Sequence, residues 1–159
     1  MYILDSSFFF GETYKQMSLG HDLWTTERVR DEVKDFSSRA AFGILEDAGL
    51  KIGEASQADF AAVRDAAAKS GDLRVLSETD ISVIALGLSL GGSVVSGDFA
   101  VQNVCRHLKI PVISLKSKTA KKKVWKRICS GCGAEIPPEY EECQICGSKP
   151  VMRGTEKKR

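Results

Sequence analysis

Histidine is scarce in this chain, at two residues in 159, and neither His21 nor His107 has a partner at metal-ligand spacing. No Ser-His-Asp or Cys-His constellation stands out, which fits a chemistry without a protein nucleophile. Long apolar runs are missing as well: no window reaches the roughly 18 apolar residues that a membrane span needs. The start, Met1-Tyr2-Ile3-Leu4-Asp5, has no positively charged leader segment. A cytoplasmic protein with no membrane partner is therefore expected. In a reducing compartment the five cysteines point to thiolate and metal chemistry rather than disulfides.

A large excess of either charge is absent too, the formal net charge being +2. That total conceals a division. Residues 1–115 hold 11 Lys and Arg against 16 Asp and Glu, a net −5, whereas residues 116–159 hold 12 against 5, a net +7. An acidic body carries a basic tail region. The apolar fraction of 43% is that of a globular chain, long enough for one ordinary domain and a small appendage.

Within the body, short β-rich runs alternate with helical patterns, the signature of an α/β fold with a mainly parallel sheet flanked by helices. The first strand is expected over Tyr2 to Leu4, ending at Asp5. A helix from Glu27 places Val29, Val33 and Phe36 at i, i+4 and i+7, and another covers Ala40 to Ala48 before Gly49. Ser56 with Asp59, and Ser77 with Asp80, read as capping-box helix starts, closed by Gly71 and by Gly91-Gly92. A short strand is expected near Arg74 to Leu76 and another at Val94 to Ser96. A helix then runs from Asp98 to Leu108, where Cys105 reads as a buried thiol, and an edge strand from Ile110 to Leu115.

The body is thus residues 1–115. Residues 116–127 read as a basic linker, 128–151 as a small unit, and 152–159 as a basic, disordered tail. The small unit is too short for a hydrophobic core and needs a staple. Its composition supplies one: Cys129-Ser130-Gly131-Cys132-Gly133 is matched by Cys143-Gln144-Ile145-Cys146-Gly147. Two residues between cysteines let one turn aim both sulfurs at a single ion, and the following glycine permits positive φ. Cys129, Cys132, Cys143 and Cys146 form a closed soft-donor cage suited to structural Zn2+.

Three acids fall where α/β sheets place ligand-binding groups: Asp5 after the first strand, Asp80 at a helix start, and Asp98 after the Val94-Val95 strand. Glu32, beside apolar Val33, is a fourth. Gathered together they would repel one another unless a hard cation such as Mg2+ or Mn2+ neutralised them. Taken singly, Asp80 and Asp98 also read as helix caps, Asp5 as a turn residue, and Glu32 as one charge on a solvated face. Spacing alone leaves both readings open.

A resemblance favours the first. The segments Ile3-Leu4-Asp5-Ser6-Ser7, Thr25 through Val33, Ser77 through Leu86 and Ser96 through Asn103 together resemble the PIN-domain nucleases. The single C-terminal Cys-x-x-Cys-Gly ribbon is similar to the branch of that family that matures the 3′ end of small-subunit ribosomal RNA. The resemblance implies a PIN-like α/β body with a zinc ribbon, and a metal-dependent endoribonuclease acting on the ribosomal RNA precursor within the pre-ribosomal particle. It implies Asp5, Glu32, Asp80 and Asp98 as ligands of Mg2+ or Mn2+, with Asn103 supporting them. Many relatives carry a further acid where this chain has Gly97, so the number of metal ions stays open.

RNA would be held by the basic stretch, Lys121, Lys122, Lys123, Trp125, Lys126 and Arg127, with the cations on phosphates and Trp125 stacked on an unpaired base. Trp125 packed against the protein is the competing reading. Lys157-Lys158-Arg159 add weakly, and Glu135, Glu139, Glu141 and Glu142 confine any RNA to one face of the ribbon. Two alternatives remain at this level: a toxin-like PIN ribonuclease acting on other RNA, and a non-catalytic zinc-ribbon binding module.

Overall fold

The computed structural model describes residues 1–10, 22–115 and 123–156. His21, Lys121, Lys122 and the final Lys157-Lys158-Arg159 lie outside the described residues. Five short strands, Tyr2–Leu4 (β1), Leu23–Thr25 (β2), Lys51–Ile52 (β3), Ser93–Ser96 (β4) and Val112–Ser114 (β5), form one sheet. Their order is β3-β2-β1-β4-β5, and every pairing is parallel. The central strands are buried on both faces, so Ile3, Leu4, Val94 and Val95 are fully enclosed, as the apolar runs of a parallel sheet require. From β1 the chain builds outward to β2 and β3, and β4 and β5 lie on the other side. The strand order therefore switches direction between β1 and β4, the place where such sheets form a crevice at the strands' carboxyl ends.

Six helices cover the sheet among the described residues: Ser6–Phe9 (α1), Glu27–Glu32 (α2), Phe36–Asp47 (α3), Gln57–Ser70 (α4), Glu78–Leu90 (α5) and Phe99–His107 (α6). Both expected capping boxes are present, at Ser56/Asp59 and Ser77/Asp80. Helix α5 buries every residue from Ile81 to Gly87 and is the central helix of the core, apolar all round as such a position demands. Cys105 is fully buried on α6. No helix among the described residues is long and apolar enough to cross a membrane.

Three local expectations are corrected. The apolar spacing Val29, Val33, Phe36 is split between two helices, because Asp35 caps α3 by accepting a bond from the Ser38 amide. A short polar side chain that satisfies a helix-start amide outcompetes continuation of the preceding helix, and Phe36, now the first residue of α3, is 90% exposed. Arg74 to Leu76 form a turn rather than a strand, since the Val75 and Leu76 amides both bond the Asp72 carbonyl.

The third correction concerns the linker and the tail. Lys123–Cys129 (β6) pairs antiparallel with Pro150–Glu156 (β7), so residues 123–127 and 152–156 are strands rather than linker and disordered tail. The cysteine pairs at the base of the hairpin hold its arms together, and charge density masked the alternation of Val124, Lys126 and Ile128.

The hairpin rests on the end of α4. Gly71 there has φ +86°, and a Cβ at that position would lie 2.6 Å from the Trp125 carbonyl oxygen. Gly91 has φ +64° with open space around it. Substitution to Ala at Gly91 is expected to cost about 1 kcal/mol from backbone strain alone. Gly71→Ala is expected to cost clearly more and to displace the hairpin. Urea melts of the two variants, with Trp fluorescence as the probe, check this; equal losses would mean the hairpin does not bear on α4.

Candidate functional site

The parallel register pairs Leu4 with Val95, which sets Asp5 beside Ser96 where both strands end. Asp5 is only 1% exposed, and a buried carboxylate is tolerated only when hydrogen-bonded. Its Oδ1 accepts from the Ser6 amide at 2.8 Å, and its Oδ2 accepts from the Ser7 hydroxyl at 2.7 Å and the Ser96 hydroxyl at 2.6 Å. Those hydroxyls are used twice: Ser7 Oγ accepts from the Gly97 amide at 2.9 Å, and Ser96 Oγ from the Asp98 amide at 3.0 Å. The loop leaving β4 is thus tied to Asp5 on the neighbouring strand. Sequence reasoning missed Ser7 and Ser96; the available signal was short polar residues interrupting apolar strand ends next to acids.

Asp80 and Asp98 both cap helices. Asp80, at the third position of α5, accepts at Oδ2 from the Ser77 amide and hydroxyl, each at 2.7 Å. Asp98 opens α6, with Oδ1 accepting from the Ala100 amide at 2.6 Å and the Val101 amide at 3.3 Å. Among the described residues each uses one oxygen as a cap and leaves the other without a hydrogen bond, so capping and metal ligation do not compete. Burial pushes the Asp80 carboxyl above the usual carboxylate range; the Ser77 bonds oppose this, and the charges of Asp5 and Asp98 reinforce it. Asp5, Asp80 and Asp98 therefore share one electrostatic field, and a donor set of repelling carboxylates fits a hard divalent ion.

The other candidates are placed differently. Glu32 is the exposed last residue of α2. Asn103 is buried on α6 and donates to Asp72 Oδ2 at 2.6 Å, an oxygen that also accepts from the Ser70 hydroxyl at 2.6 Å. Its described bond braces α6 against the end of α4 rather than touching an acid of the site. No three carboxylates among the described residues bring oxygens within 4.8 Å of one another.

The sulfurs of Cys129, Cys132, Cys143 and Cys146 do lie mutually within 4.8 Å, with Cys129 to Cys146 at 3.3 Å and Cys132 to Cys143 at 3.6 Å. Four thiolates bound at about 2.3 Å to one tetrahedral ion stand about 3.8 Å apart, so the cage has the right size. None of the four is in a disulfide. Gly133 and Gly147 take φ of +76° and +72°, as each knuckle requires. The Ser148 hydroxyl and amide draw the Cys146 thiol down to about 6, with Cys129 assisting. One ligand is thus poised as a thiolate near neutral pH.

The basic residues that are described are engaged within the hairpin unit. Arg127 donates to the carbonyls of Pro137, Pro138 and Tyr140 at 3.3, 2.9 and 2.8 Å, clamping the loop between the knuckles. Lys126 pairs with Glu135 at 2.7 Å. Trp125 packs over Gly154, where a Cβ would come within 3.0 Å of the ring, while 37% of the residue stays exposed.

The raised proton affinity of Asp80 has a consequence for stability. A carboxyl that binds its proton more tightly when folded favours folding in its neutral form, so ionisation as pH rises past the ordinary carboxylate range destabilises the metal-free protein. Asp80→Asn is expected to melt above the wild type at pH 7 without metal, the gap closing toward pH 3, and Mn2+ is expected to raise the wild type far more than the variant. Thermal melts with and without Mn2+ test this; a metal-free wild type at least as stable as the variant at pH 7 would remove the shared field.

Comparison with known proteins agrees with this geometry. Residues 2–90 match the model of the PIN domain of ribonuclease. The chain is 37% identical to Endoribonuclease Nob1 of Methanothermobacter thermautotrophicus, across 95% of this chain and 91% of that protein. It is 39% identical to Endoribonuclease Nob1 of Pyrococcus abyssi, across 92% and 89%, and 28% identical to Ribonuclease VapC1 of Thermoplasma acidophilum, across 100% and 80%. With this family match and these identities over most of its length, the chain belongs to the PIN-domain ribonucleases, in the Nob1 endoribonuclease family.

Proposed function

We propose that this protein hydrolyses a phosphodiester bond at the 3′ end of small-subunit ribosomal RNA, within the pre-ribosomal particle. The observation that carries the reading is the carboxyl edge where β1 and β4 meet: Asp5 follows β1 there, and Ser96 bonds both its carboxylate and the Asp98 amide. Among the described residues Asp80 Oδ1 and Asp98 Oδ2 have no hydrogen bond, which leaves each available to a cation. Mg2+ or Mn2+ bound there supplies charge neutralisation for the phosphate and an activated water. Glu32 completes the ligand set from the end of α2. A Cβ at Gly97 would meet nothing closer than 3.6 Å, so a further acid would fit where this chain has none; the substrate phosphate takes that place.

An acidic crevice repels a polyanion, so affinity must come from elsewhere on the chain. Lys121 and Lys122, outside the described residues, supply it together with Lys123, Trp125, Lys126 and Arg127 of β6, the exposed part of Trp125 stacking on an unpaired base. Lys126 exchanges a solvent-exposed pair with Glu135, worth little in water, for phosphate. Arg127 contributes chiefly by holding the loop. The cysteine cage binds Zn2+, and with no open ligand position its role is structural.

Two measurements test the assignment. Asp98→Asn is expected to lower Mn2+-dependent cleavage of a ribosomal RNA precursor 3′-end fragment by roughly 100-fold or more while RNA binding survives; cutting by the metal-free protein or at full rate by the variant would overturn it. Stripping Zn2+ with a strong chelator is expected to unfold the hairpin unit and weaken RNA binding while the cooperative melt of the α/β body persists.

A further inference from the structure

A cavity of about 710 Å3 lies beside the acidic crevice, on the same carboxyl edge of the sheet. Its floor is at the ends of β2 and β3, marked by Thr26 and Ile52. With strands about 4.8 Å apart, this mouth is displaced from Asp5 by only one to two strand spacings. Helix α5 serves both sites: Asp80 belongs to the crevice, while Glu78 and Ser82 on the same helix line the cavity. The volume lies within the range of small-molecule pockets.

The chemistry of the walls favours a nucleobase over a phosphate. Ile52 and the half-buried Phe60 give an apolar surface. Beneath them the Thr26 and Ser82 hydroxyls meet at 2.9 Å, and Ser82 donates onward to the Thr79 carbonyl at 2.7 Å. The rim carries Glu27, Asp31, Glu54 and Glu78 against Arg28 and Arg64. Arg64 is already spent on Glu78, at 2.6 and 2.8 Å. The balance is acidic, so a phosphate is repelled, whereas a neutral base offering N–H donors meets an excess of carboxylate acceptors. Single-stranded RNA is read by splaying bases out onto aromatic side chains and bonding their edges.

We infer that this cavity receives one unpaired base of the substrate, adjoining the scissile phosphate, and that it selects a base bearing an exocyclic amino group over uracil. The inference rests on the ribonuclease reading of the crevice. Phe60 is a positioning residue that stacks on the base, and Glu54 at the rim accepts from the amino group, as carboxylates accept from cytosine N4.

The test uses the full zinc-loaded chain, Mn2+, and an RNA oligonucleotide that the wild type cuts at one site. An abasic nucleotide is placed in turn at each position flanking the cut. At one of these positions the wild type is expected to show about a tenfold rise in KM, with kcat within about twofold. Phe60→Ala should show the same rise on the intact substrate and no further rise on the abasic one. Glu54→Ala, at an exposed position that should not disturb folding, is expected to erase the preference for amino-bearing bases over uracil with Tm unchanged. Wild type and both variants responding identically at every flanking position would overturn the cavity assignment alone. Failure of the wild type to cut any RNA would instead overturn the ribonuclease reading on which it rests.

Discussion

The carboxylate of Asp5 is buried where the strand order of the sheet reverses, and the arrangement of the site follows from the need to satisfy it. A carboxylate with almost no exposure is stable only if donors reach both oxygens. Here one donor set comes from the turn that follows β1 and another from Ser96, 91 residues later in the chain. Because Ser96 and Ser7 each also accept an amide from the loop after β4, the bonds that neutralise the cost of burying Asp5 also fix where Asp98 begins its helix. A substitution removing either hydroxyl would leave a buried oxygen short of a partner and loosen Asp98 at the same time.

Asp80 and Asp98 show that a capping carboxylate can keep one oxygen out of the cap. Each carboxylate has two oxygens; one satisfies the orphan amides of a helix start, and the other remains available. The cap fixes the side chain in place, which lowers the ordering cost when a cation arrives. Burial raises the proton affinity of Asp80, and the charges of Asp5 and Asp98 add to it. Such local conflict, maintained by an otherwise well-packed core, is the mark of a site under functional constraint.

Much of the body was legible because its signals are local. The Ser56/Asp59 and Ser77/Asp80 boxes and the apolar β1 and β4 segments are determined within a few residues, and they are present in the structure. What was not legible depended on partners far away or on competition between nearby signals. Strands β2 and β3 are three and two residues long, too short for an alternation to register, and each depends on its neighbour in the sheet, β2 on β1 and β3 on β2. Phe36 was misassigned because periodicity ignores a cap, and Asp35 prevailed. The hairpin was hidden because its arms pair across the whole four-cysteine segment, and the charged sequence of β6 gives no sign of that partner. The acids were identified as residues, while the serines that position Asp5 and Asp98 were not, since nothing in a linear pattern says which hydroxyl faces a buried oxygen.

The chain divides its chemistry between two donor types that do not compete. Carboxylates in the acidic body suit a hard ion, and thiolates in the basic hairpin unit suit a soft one. Keeping the basic charge off the body preserves the crevice's affinity for cations, but a polyanion held at a distance must still be delivered in register with the acids. The contact between the two parts meets that need. Trp125 of β6 bears on Gly71 at the end of α4, and the adjacent Asp72 accepts at one oxygen from both the Ser70 hydroxyl and the side-chain amide of Asn103 on α6, the helix that Asp98 opens. The described bond of Asn103 ties the helix that Asp98 opens to the turn on which the hairpin stands. A buried bond of this kind, a neutral amide to a carboxylate, resists shear more than an exposed ion pair does, so the surface proposed to hold RNA is referenced to Asp98 through packed and hydrogen-bonded groups.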